Sequence, residues 1–123
     1  LSQSSTLWFD PRTLEQVRAM REPGDPDVAA EVVALYVREA RLSLDRIRAA
    51  WDTGDWVTLE RAAHKLKGGC AAVGAREVER VCAGIASRAR ANSGDGISAS
   101  IAELGAALEA TLAELFVWVK GGT

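Results

Sequence analysis

Apolar residues recur every three or four positions along nearly the whole chain, the period of a helix with one buried face, and no long segment shows strand alternation. The pattern predicts an all-α fold. Phe9, Asp10, Pro11 and Leu14 mark the first start: Asp10 is placed to cap, Pro11 to take the first helical position, and Phe9 to staple onto Leu14. This short helix turns Leu14, Val17 and Met20 inward and is expected to stop near Glu22, because Pro23 and Gly24 oppose its continuation. Asp25 and Pro26 repeat the cap-plus-proline signal before a long helix with the stripe Val33, Val37, Ala40, Leu44, Ile47 and Trp51. Gly54 closes that helix and Asp55 caps the next, which carries Leu59, Ala62, Ala63, Leu66, Cys70 and Val73 as far as Gly74. A fourth stripe, Val78, Val81, Cys82, Ile85 and Ala89, breaks at Asn92, Ser93, Gly94, Asp95 and Gly96. The last runs from near Ser98 towards Lys120 through Ile101, Leu104, Leu108, Leu112, Leu115 and Val119. Short connections make consecutive long helices antiparallel, so the expected architecture is an antiparallel four-helix bundle with a short additional N-terminal helix as a lid.

Length and composition narrow this further. A chain of 123 residues supports one core, read as a domain over 7–123 preceded by a Ser-rich linker remnant at 1–6. The net charge of -2 gives no electrostatic case for nucleic-acid binding. No apolar run reaches the roughly 18 residues that span a bilayer, so no direct membrane contact is expected, and the polar start lacks the pattern of a targeting signal. Cys70 and Cys82 lie outside CxxC spacing on apolar helical faces and read as buried thiols of a reducing compartment. Trp8, Trp56 and Trp118 sit where exposure could support helix-mediated dimerisation, but aromatics at helix ends more commonly pack, and a monomer is expected.

The only histidine, His64, lies on the third of these helices. At about 100° per residue, the apolar positions of that helix fill an arc roughly opposite His64, which turns the imidazole outward. Glu60 and Arg61 lie one turn before it on the same side, Lys67 and Gly68 one turn after, and Ala71 beyond. Gly68 and Gly69 interrupt a segment that otherwise reads as helix, and each costs about 0.5 to 1 kcal/mol relative to alanine. Angular position favours a need for access at Gly68 and for close helix packing at Gly69.

Lys67, three residues on, is within reach of an anion attached to the ring and would act on it as a point charge. Imidazole keeps a neutral, nucleophilic form available near neutral pH, so phosphoryl chemistry needs no metal in this chain. The residues alone leave the bland reading open as well: a surface histidine beside solvated lysines. Other chemistries lack their residues. There is no HExxH, no cluster of His and Cys ligands, no Ser-His-Asp spacing and no GxxxxGK[ST] to hold a nucleotide, so neither a metal site nor kinase activity is expected.

His64, Leu66, Lys67, Gly68, Gly74 and Ala75, in the run AHKLKGGCAAVGA, resemble the HxLKGxxxxxGA signature of histidine phosphotransfer domains of two-component phosphorelays. The FDP helix start, the GD turn and the RVCAGI segment are also similar to landmarks of that family, so the likeness covers nearly everything after Thr6. It implies a four-helix bundle acting as a phosphocarrier, in which His64 accepts a phosphoryl group from the aspartate of one receiver domain and passes it to another. Lys67 would steady that group, Gly68 and Ala71 would admit the receiver, Leu66 and Gly74 would set helix packing, and Lys65 and Arg61 are placed to meet an acidic receiver pocket.

No cofactor is implied in this chain; a divalent cation such as magnesium is expected on the partner receiver. The implied partners are response-regulator receiver domains, one of them in a parent hybrid sensor kinase. The implied location is the cytoplasm, free-standing or as the C-terminal domain of a membrane-bound kinase. Ala86 and Gly84 depart from the family, which commonly has Glu or Gln at the first position and an acidic residue at the second; Arg88 or Arg90 is the candidate substitute. A non-catalytic module that binds a receiver or kinase is the competing reading.

Overall fold

The computed structural model describes residues 8–121, so the linker expected at 1–6 lies outside the described residues. Five helices follow one another: α1 (Arg12–Ala19), α2 (Val28–Thr53), α3 (Trp56–Val73), α4 (Arg76–Arg90) and α5 (Ile97–Gly121). Helix α3 packs between α2 and α4, and α5 closes the ring by packing on α4 and α2. Helix α1 lies across α2 and α3. The four-helix bundle with an added N-terminal helix is thus the observed architecture.

Two tight turns fix the direction of α3. Gly54 and Gly74 both adopt the left-handed conformation, with φ of 72° and 75°, which lets a helix end in one residue at no Cβ cost. Each turn closes with the same backward bond, from Asp55 N–H to the Ala50 carbonyl (2.9 Å) and from Ala75 N–H to the Cys70 carbonyl (3.0 Å). Asp55 then accepts a hydrogen bond from the Thr58 amide (3.1 Å) and starts α3, as expected from the sequence.

Three helix boundaries differ from expectation. Helix α2 is capped by Asp27, whose Oδ1 accepts from the Ala30 amide (3.2 Å), and not by Asp25. Asp25 instead closes the preceding loop by accepting from the Glu22 amide (3.0 Å). The sequence offers two aspartates around Pro26, and Asp27 wins because Arg18 and Arg21, at 3.3 and 3.8 Å, also hold it. Helix α1 ends at Ala19, short of Glu22, and leaves Met20 exposed. Its start also shifts by one residue: Pro11 occupies the N-cap position instead of the first helical one, the helix begins at Arg12, and the Asp10 carboxylate, one residue further out, accepts from the Arg12 amide (3.0 Å).

The core combines Leu14, Val33, Ile47, Leu59, Val73, Ile85, Leu104 and Leu115 with a matching set from every helix. Tyr36 and Thr111 are buried too, although neither belongs to the sequence stripes. The Thr111 hydroxyl donates to the Ala107 carbonyl (2.7 Å), and the Tyr36 hydroxyl meets the Cys70 sulfur at 3.5 Å. Each polar atom is satisfied locally, which makes its burial tolerable. Cys70 and Cys82 are both buried and free. Trp8, Trp56 and Trp118 are partly buried against the core, with Trp118 beneath the Arg18 guanidinium (3.8 Å), so they serve packing within the chain.

Candidate functional site around His64

Helix α3 points its buried stripe, Leu59, Ala62, Ala63, Leu66, Cys70 and Val73, into the bundle. His64 is left on the solvent side and is exposed, as the angular argument requires. Its ring makes no hydrogen bond to any described residue. A surface depression of about 400 Å³ opens beside it, lined by Val57, Glu60, Arg61, His64, Lys65 and Arg90. The larger, mostly apolar groove between α2 and α5, about 560 Å³, includes Val33, Val37, Leu112 and Phe116 among its lining residues, with Arg41 and Glu109 as its charged ones.

Four cations surround the imidazole, and they are not equivalent. Lys65 is paired with Glu39 of α2 at 3.4 Å, and Arg90 of α4 donates to Glu60 at 2.7 Å. Arg61 is exposed and Lys67 half-buried, and neither makes a hydrogen bond or ion pair with a described residue. Lys67 lies one turn beyond His64, on the side away from the depression's other lining residues. The structure brings Arg61, Lys65 and His64 to one depression. Sequence reasoning does not find the carboxylates that pair with the cations there, Glu39 with Lys65 and Glu60 with Arg90, because both contacts join different helices.

Past Lys67 the helix surface is bare. Gly68, Gly69, Ala71 and Ala72 are all exposed. A Cβ built on Gly68 would meet nothing within 4 Å, and one on Gly69 would reach only the Tyr36 ring at 3.9 Å, an ordinary contact. The packing requirement expected at Gly69 is therefore absent: no neighbouring helix presses against it. Both glycines leave open backbone beside the histidine.

Gly74 is different. A Cβ there would collide with the Asp10 carbonyl oxygen, because the Asp10 amide donates to the Gly74 carbonyl (2.8 Å) and clamps the N-terminal segment onto this turn. The Asp10 carboxylate is held well below its usual range by hydrogen bonds from the Arg12 side chain and backbone, with Arg76 adding its charge.

The expected helpers on α4 divide. Arg88 turns away to bond Ser100 (2.7 Å), while Arg90 reaches the depression. Ala86 is 6% exposed, so its methyl group belongs to the core and it brings no polar atom to the histidine. Gly84 faces the Arg88 guanidinium, 3.7 Å from where a Cβ would lie.

A helical scaffold presenting one solvent-facing histidine, with cations and bare backbone on either side of it, defines a histidine-presenting bundle. The family model described as the Hpt domain matches residues 31–115, and the chain belongs to that family. It is 34% identical over 74 residues to "Histidine-containing phosphotransfer protein 5" of Arabidopsis thaliana, a match covering 54% of this chain and 45% of the relative. The chain thus spans about half the length of that curated relative.

Two solved structures share the fold. Histidine-containing phosphotransfer protein B from Pseudomonas aeruginosa has a TM-score of 0.80 at 22% identity, covering 89% of this chain and 92% of that one. A maize histidine-containing phosphotransfer protein has a TM-score of 0.84 at 22% identity, covering 99% and 94%.

Proposed function

We propose that this domain is a phosphoryl carrier that moves a phosphoryl group between receiver-domain aspartates through phosphorylated His64. The observation that carries the reading is the exposed, unbonded His64 ring on a rigidly packed helix within the family's own motif. In the step, a ring nitrogen forms a bond to phosphorus as the bond to the aspartyl oxygen breaks, and the aspartate leaves as a carboxylate. Transfer onward reverses this with a second aspartate. Neither direction needs a bound nucleotide or a cofactor in this chain; a divalent cation such as magnesium on the receiver would neutralise the phosphoryl oxygens.

Within this reading Lys67 and Arg61 meet the incoming charge without first breaking a contact ion pair, Arg61 acting on Asp55 only through its charge. Gly68 and Ala71 let the receiver's backbone approach the ring, which positions donor and acceptor, and Lys65 contributes to the receiver-facing surface. The partners are response-regulator receiver domains, one of them in a parent hybrid sensor kinase, and the setting is cytoplasmic. Among the described residues no helix is long and apolar enough to cross a membrane.

Incubation with a phosphorylated receiver and magnesium should give acid-labile, alkali-stable label on the domain, and His64→Gln should remove it. Label that persists in the variant would overturn the assignment. The absence of a polar group at Ala86 favours one second reading, a module that binds receivers without accepting phosphate; stable receiver binding with no label on the unaltered protein would establish it.

A further inference from the structure

The depression beside His64 holds two cations already engaged by carboxylates. Arg90 Nε lies 2.7 Å from Glu60 Oε2, and Lys65 Nζ lies 3.4 Å from Glu39 Oε1, whereas Arg61 and Lys67 have no carboxylate in contact among the described residues. Glu60 sits on α3 one turn before His64, on the same face, and Arg90 reaches it from the end of α4. Among the described residues, the one carboxylate lining the depression is therefore spent on the one guanidinium that α4 brings to it.

A phosphoryl group on His64 would enter this arrangement carrying more negative charge than a carboxylate. It would compete with Glu60 for Arg90, whose planar fork suits either anion. A carrier that must give its cargo up again is poorly served by four free cations, which would deepen its hold on the phosphoryl group. An internal carboxylate that keeps one cation occupied lowers that hold while leaving the charge available.

Resting on the phosphocarrier reading above, we infer that Glu60 is a positioning residue that sets how strongly the site holds a phosphoryl group, acting through its ion pair with Arg90. Lys65, by the same logic, is attenuated by Glu39, but the longer pair, 3.4 Å against 2.7 Å, gives the weaker effect.

The test loads the purified domain with phosphoramidate, a small donor from which the imidazole displaces ammonia, so no partner needs to be identified. Phosphorus NMR then follows the last ionisation of the phosphohistidine as pH is varied. A cation beside the group favours its dianion and lowers the midpoint. Glu60→Gln frees Arg90 and should increase the acidity of the phosphoryl group about two- to fivefold, the range expected of an exposed pair. Arg90→Ala should decrease it, and Arg90→Lys should restore part of the effect.

In the Arg90→Ala background, where only direct repulsion by Glu60 remains, Glu60→Gln should shift the midpoint by less than half as much as in the unaltered protein. An unchanged midpoint in Glu60→Gln overturns the inference. So does a shift of the same size in the Arg90→Ala background, which would mean that Glu60 acts by direct repulsion. Failure of the unaltered protein to load, or loading that survives in His64→Gln, would instead strike the phosphocarrier reading itself.

Discussion

Glycines at three positions on or just after the same helix do three different things, and the difference is measurable. Gly74 holds φ of +75° against the Asp10 backbone, so any side chain is both strained and in collision. Gly74→Ala should cost about 2 kcal/mol or more in denaturant unfolding. Gly68 is helical and faces open space, and Gly68→Ala should raise stability by about 0.5 to 1 kcal/mol through backbone entropy. That variant should nevertheless take phosphate from a receiver more slowly, measured as the initial rate of labelling. A gain in stability with an unchanged rate would show that the bare backbone has no docking role. Gly69 lies between these cases: a Cβ added there would make an ordinary contact with the Tyr36 ring.

At the level of helices, caps and cross-helix ion pairs decide the boundaries. Asp27 caps α2 and is also gripped by Arg18, which stacks on Trp118 of α5 and so ties three helices together. Asp27→Ala should lower stability by about 1 to 2 kcal/mol, the range for loss of an N-cap. Asp25→Ala, in an exposed loop, should stay within about 0.5 kcal/mol. Urea titrations of the two variants side by side distinguish the caps, and equal losses would contradict the assignment of Asp27. Local sequence rules could not choose between these aspartates, because the deciding contact comes from Arg18 on another helix.

For the whole molecule, the buried polar groups between α2, α3 and α4 set the alkaline limit of stability. Burial pushes the Cys70 thiol up to about 11 and the Cys82 thiol up to about 12, and raises the Tyr36 hydroxyl above its ordinary range as well. All three stay protonated in the folded protein at pH values where the unfolded chain would release those protons. The folded state therefore binds more protons, and stability falls as pH rises. The contribution is intact below the ordinary thiol value of 9.0 and is lost through 11 and 12. Denaturation midpoints should decline across that alkaline range. At neutral pH iodoacetamide should modify neither thiol until the protein is unfolded, as read by mass spectrometry; rapid labelling of the native protein would show that the core opens there.

What the chain determined alone is what depends on near neighbours: the helical period, the Gly54 and Gly74 stops, the Asp55 cap, and an imidazole facing away from the stripe of its own helix. These follow from backbone geometry within a few residues, so they could be read from the sequence with only its spacing as a guide. The tertiary structure decided which cations beside His64 are free. Glu39 and Glu60 neutralise Lys65 and Arg90 across helix boundaries, and Tyr36 is buried because α3 covers it. Such pairings depend on how separate helices are set against one another, and no periodicity within one helix encodes that.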